Sequence, residues 1–177
     1  MRYPLSQVSL TVLNTCHPFI VQSALKVTEV MDFRVECGSR TMEEQDRLKA
    51  QGLTTLSGHS PYAKHVVGAY RKLSDAIDVD PYYQTEPHVR YPDLMLKQVL
   101  DPANSKAISR LKYIEGCKAY AQYARLADAF IHAARRISDT HPEWFGWRLR
   151  WGGDWDEDYR LSDNLFDDLP HLEIVRP

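Results

Sequence analysis

Ser74-Asp75-Ala76-Ile77-Asp78-Val79-Asp80-Pro81-Tyr82 reads as a short strand, Asp75 to Val79, that Pro81 closes. Asp78 stands between Ile77 and Val79 in a strand expected to be central, where a charge is costly unless it is paired or bound to a metal. Upstream, Phe33 to Cys37 alternates in period two and is stopped by Gly38. Thr41 and Glu44 have the spacing of a capping box, which opens a helix running to about Ala50 and ended by Gly52. Farther upstream, Phe19, Ile20, Ala24, Leu25, Val27 and Val30 give Cys16 to Met31 a helical apolar face.

From Leu53 to Leu73 no period is sustained, so that stretch reads as loop. Downstream, Pro81 to Lys106 is irregular and carries Pro87, Pro92 and Pro102; an insert of that length tends to be functional or flexible. The strongest helical pattern follows, Ile108 to Ile137, with Pro142 just beyond it. Strands at Trp147 to Trp151 and Leu172 to Val175 close the chain. Strands separated by helices and long loops, without regular βαβ spacing, predict an α+β fold rather than a doubly wound sheet.

The 177 residues suit one domain, large enough to bury roughly 70% of the surface of the unfolded chain. A formal charge of −2 gives no electrostatic reason to expect nucleic acid or an anionic membrane as partner. Apolar runs are only a few residues long, too short to span a bilayer, and Val8 to Leu13 lacks the layout of a secretory signal. The odd set Cys16, Cys37 and Cys117 has no close pairing, so reduced thiols are expected and a cysteine-based zinc site is excluded. A site built from histidine and carboxylate is not.

Of the seven histidines, His17, His132 and His141 lie near helix termini or on a helix, where an exposed or dipole-stabilised imidazole is the plain reading. His171 has chemical company in Asp168-Leu169-Pro170-His171-Leu172-Glu173. Pro170 biases Leu169 towards extended backbone, Asp168 lies close before the strand, and Glu173 shares a strand face with His171 and is placed to orient its ring. A second cluster joins His65, in Ala63-Lys64-His65-Val66-Val67-Gly68, to Asp78. Two histidines and an aspartate with one position left open form a catalytic zinc arrangement, although spacing alone does not fix the ligands.

Leu149-Arg150-Trp151-Gly152-Gly153-Asp154-Trp155-Asp156, followed by Phe166-Asp167-Asp168-Leu169-Pro170-His171-Leu172-Glu173, resembles the C-terminal signature of phage endolysins of the D-alanyl-D-alanine carboxypeptidase/L-alanyl-D-glutamate peptidase group, zinc peptidases related to VanY- and VanX-type dipeptidases. Residues 74–82 are similar to the group's Ser-x-Ala-x-Asp-x-x-Pro-Tyr strand, and Gly38-Ser39-Arg40-Thr41 with Glu44-Gln45 resembles its Gly-x-Arg-Thr turn and following helix. The resemblance covers most of the chain in the expected order. It implies a small antiparallel sheet flanked by helices, as in hedgehog and DD-peptidase folds, with a zinc ion held on the sheet by His65, Asp78 and His171. Asp168 would be the acid/base and Arg40 would bind a substrate carboxylate or carbonyl oxygen. Ala63 stands where the short motif has Ser, and His59, preceded by Ser57-Gly58, offers a competing first ligand; the distance to Asp78 favours His65.

The function so implied is zinc-dependent hydrolysis of the L-Ala to D-Glu bond in the peptidoglycan stem peptide, by residues 1–177 as one catalytic domain. The alternatives are a D-Ala-D-Ala carboxypeptidase or cross-link endopeptidase on the same scaffold, and a non-catalytic wall-binding domain. The acidic run Asp154-Trp155-Asp156-Glu157-Asp158 lacks the Gly and distal Glu of an EF-hand and reads as a solvated loop rather than a calcium site. Trp151 and Trp155 are candidates to line a substrate groove, with core packing an equal explanation for Trp151. The expected protein is a monomer made in the host cytoplasm without a signal, released to the wall through a holin-type lesion, with no membrane insertion.

Overall fold

In the computed structural model, which describes residues 3–82, 110–158, 160 and 166–177, Ile77 and Val79 are buried in the core while Asp78 between them faces the opposite side of its strand. That strand, β2 (Ala76–Pro81), pairs antiparallel with β1 (Phe33–Cys37) on one side and with β4 (His171–Val175) on the other; β3 (Arg148–Trp151) completes the sheet on β4. All four strands are antiparallel in the order β1-β2-β4-β3. The architecture is therefore the expected α+β, with a small antiparallel sheet.

Val35, Ile77, Val79, Leu172, Ile174 and Leu149 form the apolar face and pack on the helices. α1 (Gln7–Leu13) and α2 (Pro18–Val27) contribute Leu13, Phe19, Ile20, Ala24 and Val27, and the long α4 (Arg110–Thr140) contributes Tyr120, Tyr123, Leu126, Phe130 and Ala134. Phe130 meets Phe33 edge to face, ring centroids 5.1 Å apart, which ties α4 to β1. Truncating so central a ring costs about 3–5 kcal/mol.

The local signals act where they were read. Thr41 Oγ1 accepts from the Glu44 amide while Glu44 returns the bond to the Thr41 amide, a full capping box for α3 (Met42–Ala50), and Gly52 takes a φ of +74° just past its end. Pro18 starts α2 behind a cap in which His17 Nδ1 accepts from the Phe19 amide. That helix ends earlier than the apolar pattern suggests: residues 28–30 form turns, and Val30 is exposed, so no burial rewards another turn. α1 was not anticipated; seven residues carry too little period to announce it, and only Ser9 and Leu13 are buried. The expected irregular stretch 81–106 falls almost entirely outside the described residues, as does the start of the helix expected at Ile108.

Register sets up the site. Asp78 is the direct partner of His171 across β2 and β4. The pairing of β1 with β2 shifts between Val35 and Cys37, which brings Cys37 rather than Glu36 opposite Asp78. Cys37, Asp78 and His171 therefore form one row across three strands, and Arg150 opposite Glu173 continues the same polar face.

Candidate metal centre

Three donor atoms converge over that row. His65 Nε2 lies 3.0 Å from Asp78 Oδ1 and 3.1 Å from His171 Nδ1, and His171 Nδ1 lies 3.2 Å from the same carboxylate oxygen. A tetrahedral ion with ligand bonds of about 2.0–2.1 Å separates its ligand atoms by roughly 3.3–3.4 Å. The triangle is only a few tenths of an ångström tighter than that, and its nitrogen and oxygen donors suit zinc.

Each imidazole is oriented by its other nitrogen. His65 Nδ1–H donates to the Gly38 carbonyl at 2.6 Å, which leaves the Nε2 lone pair facing the centre. His171 Nε2–H points at Glu173 Oε2, 3.4 Å away, and Arg150 in turn donates to Glu173 Oε1. Glu173 thus takes the orienting place read for it from the strand period. Cys37 Sγ also lies near, but its 3.9 Å approach is to His65 Nδ1, the nitrogen already committed to Gly38.

His65 sits on a loop, and the loop is held by backbone and by one arginine. The Arg40 amide donates to the His65 carbonyl and the Val67 amide to the Arg40 carbonyl, a short parallel bridge. Arg71 Nη1 donates to the carbonyls of Ala63 and Val66 and Nη2 to that of Pro61, while Nε lies 3.3 Å from Asp75. Asp75 is gripped from the far end of the chain by Arg176, two bonds of 2.9 Å each. Sequence reading passed over Arg71: a lone arginine in an aperiodic loop gives no local sign of what it spans.

Of the residues singled out from sequence, His65, Asp78 and His171 come together and are largely shielded from solvent. His59 is exposed on the same loop, its carbonyl accepting from the Tyr70 hydroxyl. Arg40 reaches the centre from beside it: Nη2 donates to Asp78 Oδ2 at 2.8 Å and Nε to Cys37 Sγ at 3.2 Å. Asp168 is half-buried in the turn that leads into β4, where its carbonyl accepts from the His171 amide and its amide donates to the Gly152 carbonyl. The backbone there is so close that a Cβ on Gly152 would lie 2.4 Å from the Asp168 oxygen. Trp151 is buried and donates to the Leu169 carbonyl, whereas the Trp155 ring stands 5.6 Å from that of His171 at the edge of the site. Asp154, Asp156 and Asp158 bring carboxylate oxygens within 4.8 Å of one another in an otherwise exposed loop. His88 lies outside the described residues.

The charges are strongly coupled. Burial opposes charge on His65, but the Asp78 carboxylate outweighs it and carries the imidazole up to about 10. The same balance raises His171, through Asp78 and Glu173. Burial would push Asp78 up, yet the two imidazoles hold it far below the usual carboxylate range. Glu173 is drawn down to about 2, against burial, by the hydrogen bonds of His171 and Arg150. Asp168 differs: burial, with the negative charge of Asp78, raises it against the pull of His171, His65 and Arg40. It is the carboxyl of the group most ready to carry a proton.

The sequence matches the family model described as phage L-alanyl-D-glutamate peptidase over residues 1–112, a span that includes Arg40, His65 and Asp78 and stops short of Asp168 and His171. No curated protein matches it significantly. Among solved structures the fold is similar to the L-Ala D-Glu endopeptidase ChiX of Serratia marcescens, with a TM-score of 0.56 and 18% identity over 97% of this chain and 90% of that one. At that identity the likeness is one of fold.

Proposed function

The chain belongs to the phage L-alanyl-D-glutamate peptidase family, and from that premise we propose that it is a zinc peptidase that cuts the L-Ala to D-Glu bond of the peptidoglycan stem peptide. What supports the metal is the convergence of His65 Nε2, Asp78 Oδ1 and His171 Nδ1 within 3.0–3.2 Å, each imidazole fixed by a partner on its other nitrogen. A zinc ion held by these three would keep a position for water, lower that water's pKa to about 7 and polarise the scissile carbonyl.

The chain's own groups do the rest. Asp168, with its raised pKa, takes a proton from the attacking water and returns it to the leaving amine of the glutamate. Arg40 fixes Asp78 through Oδ2 and keeps Nη1 for the substrate, where it can hold a carboxylate or the oxygen that gains charge as the carbonyl is attacked. Trp155 flanks His171 and gives the peptide an apolar wall. We further propose that residues 1–177 act as one catalytic domain, as a monomer, reaching the wall after holin-type release; no helix among the described residues is long and apolar enough to cross a membrane.

Digestion of purified peptidoglycan tests the reading. New alanine carboxyl and glutamate amino termini, found by mass spectrometry and abolished by a chelator, are expected. Termini at another bond, such as D-Ala-D-Ala, would replace it with the carboxypeptidase alternative.

A further inference from the structure

Beside the candidate metal centre lies an open groove of about 380 Å³, lined by Glu44, Arg47 and Leu48 of α3 and by Gln51 at its C-cap. Their spacing of i, i+3, i+4 and i+7 is a single helical face. Cys37 and Arg40 also line the groove, so Arg40 borders both it and the centre. Whatever occupies this groove lies beside Arg40 and Cys37.

The charges along it are not equally available. Glu44 is engaged in the capping box, its Oε2 accepting from the Thr41 amide at 2.8 Å. Arg40 has Nη2 on Asp78 and Nε on Cys37. The Arg47 side chain is exposed and makes neither a hydrogen bond nor an ion pair among the described residues, with Glu44 one turn away included. The groove therefore offers an uncommitted guanidinium in the same lining as the arginine that holds Asp78.

The substrate supplies the matching charge. Glutamate, on the leaving side of the bond, has two carboxyls; continuing the peptide uses one, and the other stays free within a few bonds of the nitrogen released. Resting on the function proposed above, we propose that Arg47 is a specificity-determining residue that reads this free carboxylate. A planar fork that pairs bidentately suits the task. Because the side chain is exposed, water and salt weaken the contact, and its effect belongs in substrate binding rather than in the chemical step.

The test uses two synthetic stem peptides that differ only in whether that carboxyl is free or amidated, cleaved by the zinc-loaded protein. The natural chain should favour the free acid by about tenfold in kcat/KM, the difference lying in KM, and added salt should erode it. Arg47→Ala should bring the ratio to within about twofold, Arg47→Lys should keep part of it, and Arg47→Glu should invert it. An unchanged ratio in Arg47→Ala, or no preference in the natural chain, overturns this assignment while leaving the peptidase reading intact. Failure of the natural chain to cut either peptide between alanine and glutamate overturns both.

Discussion

Both oxygens of Asp78 are committed, Oδ1 to the two imidazoles and Oδ2 to Arg40, so one half-buried carboxylate organises two rings and a guanidinium. Asp168, by contrast, makes no side-chain hydrogen bond among the described residues and is raised by burial, a state that suits the proton exchange proposed for it. Asp168→Ala should keep the fold and bind one zinc per chain while losing about 10²- to 10⁴-fold in hydrolysis, measured by peptide cleavage beside elemental analysis. Near-normal turnover with zinc in place would remove Asp168 from the chemistry. Glu173 acts one step away, through His171. In Glu173→Gln the new amide still faces Arg150, but the negative charge that favours a protonated Nε2, and so a free Nδ1, is gone. Zinc affinity should fall by about 10- to 100-fold, read by competition with a chromophoric chelator, whereas an unchanged affinity would reduce Glu173 to a structural partner of Arg150.

Among the elements, the loop that carries His65 is the one without secondary structure to hold it, and Arg71 takes that part by spanning three carbonyls and Asp75. Arg71→Ala should destabilise the metal-free protein by about 2–3 kcal/mol in urea unfolding and weaken zinc binding with it. Arg71→Lys should recover little, since an ammonium cannot bridge carbonyls that a planar fork reaches together. Equal zinc affinity in the natural and Ala chains would mean that the loop is held without it. Arg71 also marks where sequence reading stops. β1, β2 and the capping box of α3 were legible because each is specified by residues a few positions apart. The pairing of Glu173 with His171 was legible for the same reason, being two residues along one strand. Three features were not: the shift that brings Cys37 opposite Asp78, the reach of Arg71, and the contact that confines position 152 to glycine under Asp168. Each depends on segments meeting from far along the chain. Arg40 falls between, because the resemblance singles it out while only the fold reveals that part of its guanidinium holds the Asp78 carboxylate.

At the scale of the molecule, the centre joins a loop, the central strand β2 and the last strand, with His65 and His171 separated by 106 residues of chain. An ion bound there, as proposed, would close a long loop as well as serve catalysis, so zinc removal should reach the whole fold. Zinc at about a thousandfold excess over its Kd would stabilise the native state by about 4 kcal/mol, or roughly 10 °C in Tm for a chain of this size. The protons of the cluster then give that stabilisation a pH dependence of definite sign. An imidazole whose pKa is raised on folding stabilises the native state fully below its ordinary value near 6.5 and ceases to as pH climbs through the folded value, about 10 for His65. The chelated protein should therefore lose stability between about pH 6.5 and 10 as the His65–Asp78 pair is discharged. Zinc competes with those same protons, so its binding tightens over the interval in which the metal-free fold weakens. The gap in Tm between zinc-loaded and chelated protein should widen steadily from about pH 6 to pH 8.5, and binding near neutrality should release protons that calorimetry in buffers of different ionisation heat can count. A gap that stays constant or narrows as pH rises would mean that zinc does not displace protons from His65 and His171, and that the ion is held elsewhere.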